Sequence, residues 1–159
     1  MSPANTSAAF TQFVNEIVFL QANTDGLVVD VMANGGGIGC HAEDLMSALM
    51  PTAFRGVAFQ IRPTHFWLSN FGNRLINAQL SNSPEYMQVL YAEYLRQIQV
   101  AYAENRGNTG AIPICGVSFE IRPVKDMTGK ALAYTKPILI FTDNFTLSAA
   151  EIFTMMLQD

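Results

Sequence analysis

Lys136-Pro-Ile-Leu-Ile-Phe-Thr-Asp-Asn-Phe-Thr-Leu-Ser-Ala-Ala-Glu-Ile-Phe-Thr-Met-Met-Leu-Gln-Asp159 reads as a strand, a turn and a helix in succession. Pro137 to Thr142 is a short apolar run bounded by the polar pair Asp143-Asn144, and beyond it Ile152, Phe153, Met156 and Leu157 recur at helical spacing. Ser148 falls where turn becomes helix, with Ala149 and Ala150 behind it and Glu151 three positions on. Two readings of Ser148 compete. It caps the helix, with Glu151 completing a capping box. Or its oxygen attacks a carbonyl whose developing charge is met by the unpaired N–H groups at the helix start.

A second stretch bears on that choice. Gly26-Leu-Val-Val-Asp-Val-Met-Ala-Asn-Gly-Gly-Gly-Ile-Gly-Cys-His-Ala-Glu-Asp-Leu45 predicts a strand over Leu27 to Met32 carrying Asp30, then Asn34, three consecutive glycines and a helix beginning near Ala42. A loop without Cβ atoms can aim amide N–H groups at an anion. It can equally be a flexible turn.

Together the two stretches resemble the C-terminal processing (tail-specific) serine peptidase family, whose relatives include the tricorn core protease and retinoid-binding modules. The family pattern Asp-Leu-Arg-x-Asn-x-Gly-Gly is matched by Asp30, Asn34, Gly36 and Gly37, with Met32 where the arginine is usual; Thr-x-Ser-Ala-x-Glu is matched by Thr146, Ser148, Ala149 and Glu151. The resemblance implies an α/β fold with a ClpP/crotonase-like core, a parallel-rich sheet with flanking helices. It implies Ser148 as nucleophile, an oxyanion hole from the N–H of Ala149 and of Gly36 or Gly37, and Asp30, Asn34 and Glu151 in support. Peptides or proteins are the implied substrates, with no cofactor and no metal.

The same resemblance places the general base, a lysine or histidine, outside these 159 residues. The chain is therefore expected to be a single, truncated core that carries half a catalytic centre and is inactive alone. Its expected partner is the remainder of a parent chain, or a second copy. The alternative is a non-catalytic apolar-ligand-binding or structural module on the same fold. His41, directly after the glycine loop, and His65 are the histidines to weigh as substitute bases, against capping or surface roles; Lys125, Lys130 and Lys136 are the lysines.

Composition narrows the partners. Hydrophobic residues make up 50% of the chain and charged ones 14%, apolar for one soluble domain and in keeping with faces that other segments cover. A net charge of −4 with nine scattered Lys and Arg argues against nucleic acid. No apolar run has the length of a membrane span, and the first residues lack a signal peptide's pattern; a secreted parent stays open. Cys40 and Cys115 lack metal-ligand spacing, and two buried free thiols are expected over a disulfide. Sequons occur at Asn5 and at Asn144, the latter read as unmodified because a glycan there would obstruct the turn before Ser148.

Elsewhere, apolar spacing predicts a helix over residues 8–22 and another over 44–49, giving an α-β-α order suited to a parallel sheet covered on both faces. Gly56-Val-Ala-Phe-Gln-Ile-Arg-Pro63 and Gly116-Val-Ser-Phe-Glu-Ile-Arg-Pro123 match at six of eight positions; both read as strands on neighbouring or symmetry-related edges. Arg62 and Arg122 within them suggest either a carboxylate fork or a salt-bridged face. Between them lies a predicted helical hairpin insertion, residues 64–111, with helices over 66–80 and 84–104, Ser83 capping the second and Pro84 opening it. Its tyrosines, Tyr86, Tyr91, Tyr94 and Tyr102, read as core or interface.

Overall fold

The computed structural model describes residues 8–116 and 118–158. The sequon at Asn5 lies outside them, as does Val117 of the second octet. The chain forms two compact units, Val57–Phe119 and the segments on either side of it, Met1–Gly56 with Glu120–Asp159.

The flanking unit is α/β. Helix α1 (Ala8–Asn23) buries Phe10 and Ile17 and ends where Thr24 N–H and hydroxyl both donate to Leu20 O. Strand β1 (Leu27–Asp30) follows, then α2 (Gly39–Leu49), which packs against α1. Beyond the second unit come β6 (Ile138–Phe141) and α5 (Ala149–Gln158), the latter packed on α2. Met46, Ala48 and Leu49 of α2, with Ala150, Phe153 and Met156 of α5, supply the core. β1 and β6 pair in parallel, Leu27 opposite Ile138 through Asp30 opposite Phe141, as expected of two buried-strand patterns joined by long crossovers.

Three details differ from expectation. Helix α2 begins at Gly39, earlier than Ala42, with Ile38 in extended conformation before it and no side-chain cap. The sheet is not covered on both faces: Val28, Leu139 and Phe141 are 57%, 53% and 44% exposed, since alternate residues of a strand point oppositely and the helices take only the Leu27, Val29, Ile138 and Ile140 side. Neither cysteine is a free thiol; Cys40 and Cys115 are both disulfide-bonded, which replaces the expectation of buried thiols.

The unit of residues 57–119 contains α3 (His65–Leu80) and α4 (Glu85–Ala103), packed on each other. Thr64 caps α3, its hydroxyl accepting from Trp67 N. Ser83 does not cap α4, because Pro84 occupies the N-cap and Ser83 turns its hydroxyl to Ser81 instead. Tyr94 and Ile98 of α4 are buried with Ile61 and Ile112, and Phe71 stacks on Tyr94 with ring centroids 4.9 Å apart.

The two octets do not form the long strands their alternation suggests. In the first, only β3 (Ala58–Phe59) is strand, antiparallel to β4 (Ile112–Pro113); just before it, β2 (Phe54–Arg55) pairs with β5 (Glu120–Ile121) of the second. Gly56 explains the break on the β2 side. A Cβ there would lie 2.7 Å from both Glu43 Oε1 and Ile121 Cδ1, so the backbone itself fills a buried gap. On the β4 side Ile114 N still donates to Val57 O at 3.2 Å, one residue past the paired strands.

Candidate active site

The carboxyl ends of β1 and β6 open into two loops, residues 31–38 and 142–148, that are laced together. Val31 N donates to Phe141 O at 3.0 Å, carrying the ladder one residue past the strands. Ala33 N donates to both carboxylate oxygens of Asp143, at 3.0 and 3.1 Å. Thr146 Oγ1 donates to Val31 O at 3.0 Å, and Leu147 N to Asn34 O at 2.9 Å. Parallel strands make this possible because both loops leave the sheet at the same end, where α/β proteins place ligands.

Ser148 stands at the end of this lacing with φ 56°, a left-handed conformation that a residue with a Cβ enters at a cost of about 1–2 kcal/mol. An ordinary N-cap is extended. Ser148 N donates to Glu151 Oε2 at 2.6 Å, so half of a capping box is present. The other half is missing: among the described residues the Ser148 hydroxyl has no hydrogen-bond partner, and the residue is exposed. The glycine loop lies directly against it. Gly36, at φ 93°, would place a Cβ 2.6 Å from Ser148 Cβ, 2.5 Å from Leu147 O and 3.0 Å from Ala149 N. Only glycine fits there.

The expected residues divide by what their polar groups already do. Gly36 N donates to Asn34 Oδ1 at 2.9 Å, so that amide is committed inside the loop. Gly37 N and Ala149 N have no hydrogen-bond acceptor among the described residues. Asp30 accepts from Met32 N at 2.9 Å, a strand-end carboxylate holding its own loop. His41 is exposed on the first turn of α2, its N–H donating to Ile38 O. His65 opens α3 and its Nε2 is 2.8 Å from Tyr102 OH. Lys136 Nζ is bonded to Thr24 O before β6, at the opposite end of the strand from Ser148. Arg122 pairs with Glu120 on an exposed face, at 2.7 Å. Neither loop contains Lys or Arg. No group of His, Cys, Asp and Glu among the described residues could hold a metal ion.

Two residues matter here that the sequence reading treated as turn and motif only. Asp143 also accepts from Phe145 N at 2.9 Å, and its carboxyl lies below the ordinary carboxylate range chiefly because Ala33 N–H donates to it, with Phe145 N–H and Thr146 adding to the effect. Thr146 is buried, and its Oγ1 accepts from Asp143 N at 3.0 Å while donating to Val31 O. The available signal was the Asp-x-x-Thr spacing after a strand, which allows side chain and backbone to close on each other.

A parallel strand pair that delivers a glycine loop and a strained serine turn to one place makes this an α/β protein built around a strand–turn–helix site. The profile of peptidase family S41 matches residues 1–159, and the chain belongs to that family of C-terminal processing peptidases. Among solved structures it is similar to mature CPAF complexed with lactacystin, at 18% identity and a TM-score of 0.67 over 100% of this chain and 33% of that one. It is also similar to mature CPAF, at 19% identity and a TM-score of 0.65 over 100% of this chain and 32% of that one. The chain thus spans about a third of the length of these structures. No curated protein sequence matches it.

Proposed function

We propose that the chain is the core of a serine peptidase that hydrolyses peptide bonds in peptides or proteins through an acyl-enzyme on Ser148. The observation that carries this reading is the pairing of a positive φ at Ser148 with the contact of Gly36, which brings the free hydroxyl and the unused Ala149 amide against a glycine loop whose Gly37 amide is also unused. Ser148 Oγ attacks the scissile carbonyl carbon, and its proton passes to a base. The oxygen that becomes negative is held by Ala149 N–H and Gly37 N–H; Gly36, its amide taken by Asn34, serves by close approach. The amine then leaves with a proton and water releases the acyl group. With no cation on either loop, that charge falls to uncharged donors, the backbone amides among them.

The base is proposed to lie outside these residues, as the family resemblance implies; of the substitutes within them, Lys136 is engaged at the far end of β6 and His65 with Tyr102. The core is proposed to be ClpP/crotonase-like, with residues 64–111 as a helical insertion. A serine-reactive fluorophosphonate is expected to label the full-length protein and to fail on Ser148→Ala. Equal labelling of the two proteins would overturn the reading. The 159-residue chain alone is expected to turn over peptide negligibly.

A further inference from the structure

We infer that Asp143 is a positioning residue, a latch whose carboxylate holds the glycine loop in register against the Ser148 turn; this rests on the peptidase reading for its consequence in catalysis. The lacing between the two loops has four strands, of which three use neutral groups. Only the Ala33–Asp143 contact is charge-assisted, and it is the one that grips the glycine loop at its own strained residue, Ala33 at φ 55°. The same carboxylate binds Phe145 N and lies 3.2 Å from Thr146 Oγ1. One side chain therefore fixes both loops at once. Ala33 precedes the Asn34 carbonyl that receives Leu147 N, and Asn34 in turn holds Gly36. Release of Ala33 would free this chain of contacts two residues from Ser148's neighbour.

The geometry separates this role from chemistry at the substrate. Asp143 oxygens are spent on backbone donors, the N–H groups of Ala33 and Phe145. The other carboxylates of the region are engaged elsewhere, Asp30 with Met32 N and Glu151 with Ser148 N. Ala33 N–H is consequently the amide that reports most directly on Asp143.

Two measurements test the latch. In the wild-type chain, the Ala33 amide proton resonance followed by NMR is expected to titrate with a midpoint below the usual aspartate range and to move upfield as the carboxylate is protonated. In Asp143→Asn, hydrogen exchange at Ala33, Gly36 and Leu147 is expected to quicken tenfold or more while Met46 and Leu49 in the α2 core keep their protection. An Ala33 resonance indifferent to acid, or unchanged exchange in a folded variant, would overturn the latch; the wild-type titration decides it even where the variant does not fold.

In the full-length protein the variant is expected to lose about 10- to 100-fold in the fluorophosphonate labelling rate, the scale of loss for a misplaced reacting group, with peptide KM within about twofold as for a group that does not touch substrate. Loosened exchange with no labelling even in wild type would leave the latch standing and remove the peptidase reading. Full-rate labelling of a loosened variant would remove the positioning role and leave the peptidase.

Discussion

Ser148, Gly36 and Asp143 each hold a conformation or contact that the surrounding residues impose. Gly36 gives the sharpest prediction because two penalties coincide there. Alanine would have to adopt φ 93° and would press its Cβ to 2.5 Å from Leu147 O, a backbone atom that cannot swing aside. Gly36→Ala is expected to destabilise the protein by about 2–4 kcal/mol from left-handed strain plus overpacking, and to cut labelling at Ser148 by more than about tenfold. Gly35→Ala and Gly37→Ala meet nothing within 4 Å and have no positive φ; each should stay within about 0.5 kcal/mol of wild type. Chemical denaturation of the three variants checks the contrast. The sequence showed three equivalent glycines, because identity of residue type says nothing about which of them another loop will approach. Asp143 was missed for the same reason: a turn aspartate and a cross-loop aspartate look alike until the second loop is in place.

Helix α2 shows at the scale of an element what spacing conceals. Its buried side includes Glu43, Asp44 and Ser47 alongside Met46, Ala48 and Leu49, so polar residues occupy places a binary pattern would assign to apolar ones. Burial, reinforced by the Asp44 charge, pushes the Glu43 carboxyl up to about 7. In the unfolded chain it titrates near 4.5. Between those values the folded state binds more protons than the unfolded one, so stability declines as pH rises through this window and then levels off. Glu43→Gln should flatten that decline and raise stability at pH 8 by about 1–2 kcal/mol, allowing for solvent access to the carboxyl. Thermal melts from pH 4 to 8 provide the check. Helices α1, α3 and α4 were legible because their apolar stripes are long, and β1 and β6 because turn residues bound their apolar runs; all five fall within a few residues of expectation. The octets were not legible, since alternation is satisfied by any extended backbone, and a close approach such as that at Gly56 shows only once its neighbours are in place.

Across the molecule as a whole, an apolar composition has left its mark in the unit that holds the site. Parallel sheets are ordinarily covered on both faces, yet among the described residues β1 and β6 form a two-stranded sheet with Val28, Leu139 and Phe141 more than two-fifths exposed. Phe145, Leu147 and Met155 in the same unit are exposed as well. The composition forecast such faces; their location waited on register, because Val28 opposite Leu139 puts two apolar side chains on the bare side together. Open strand edges beside bare apolar surface template non-native pairing. Light scattering of the 159-residue chain should therefore rise with protein concentration. Leu139→Lys together with Val28→Thr is expected to delay that rise and increase the soluble limit severalfold, because a charge on a sheet's solvent face opposes stacking and edge pairing. Since both side chains already face water, the double variant should melt with wild-type cooperativity, its stability changed by less than about 1 kcal/mol. Unaltered scattering in a folded double variant would show that the bare face of β1 and β6 is not the surface through which chains associate.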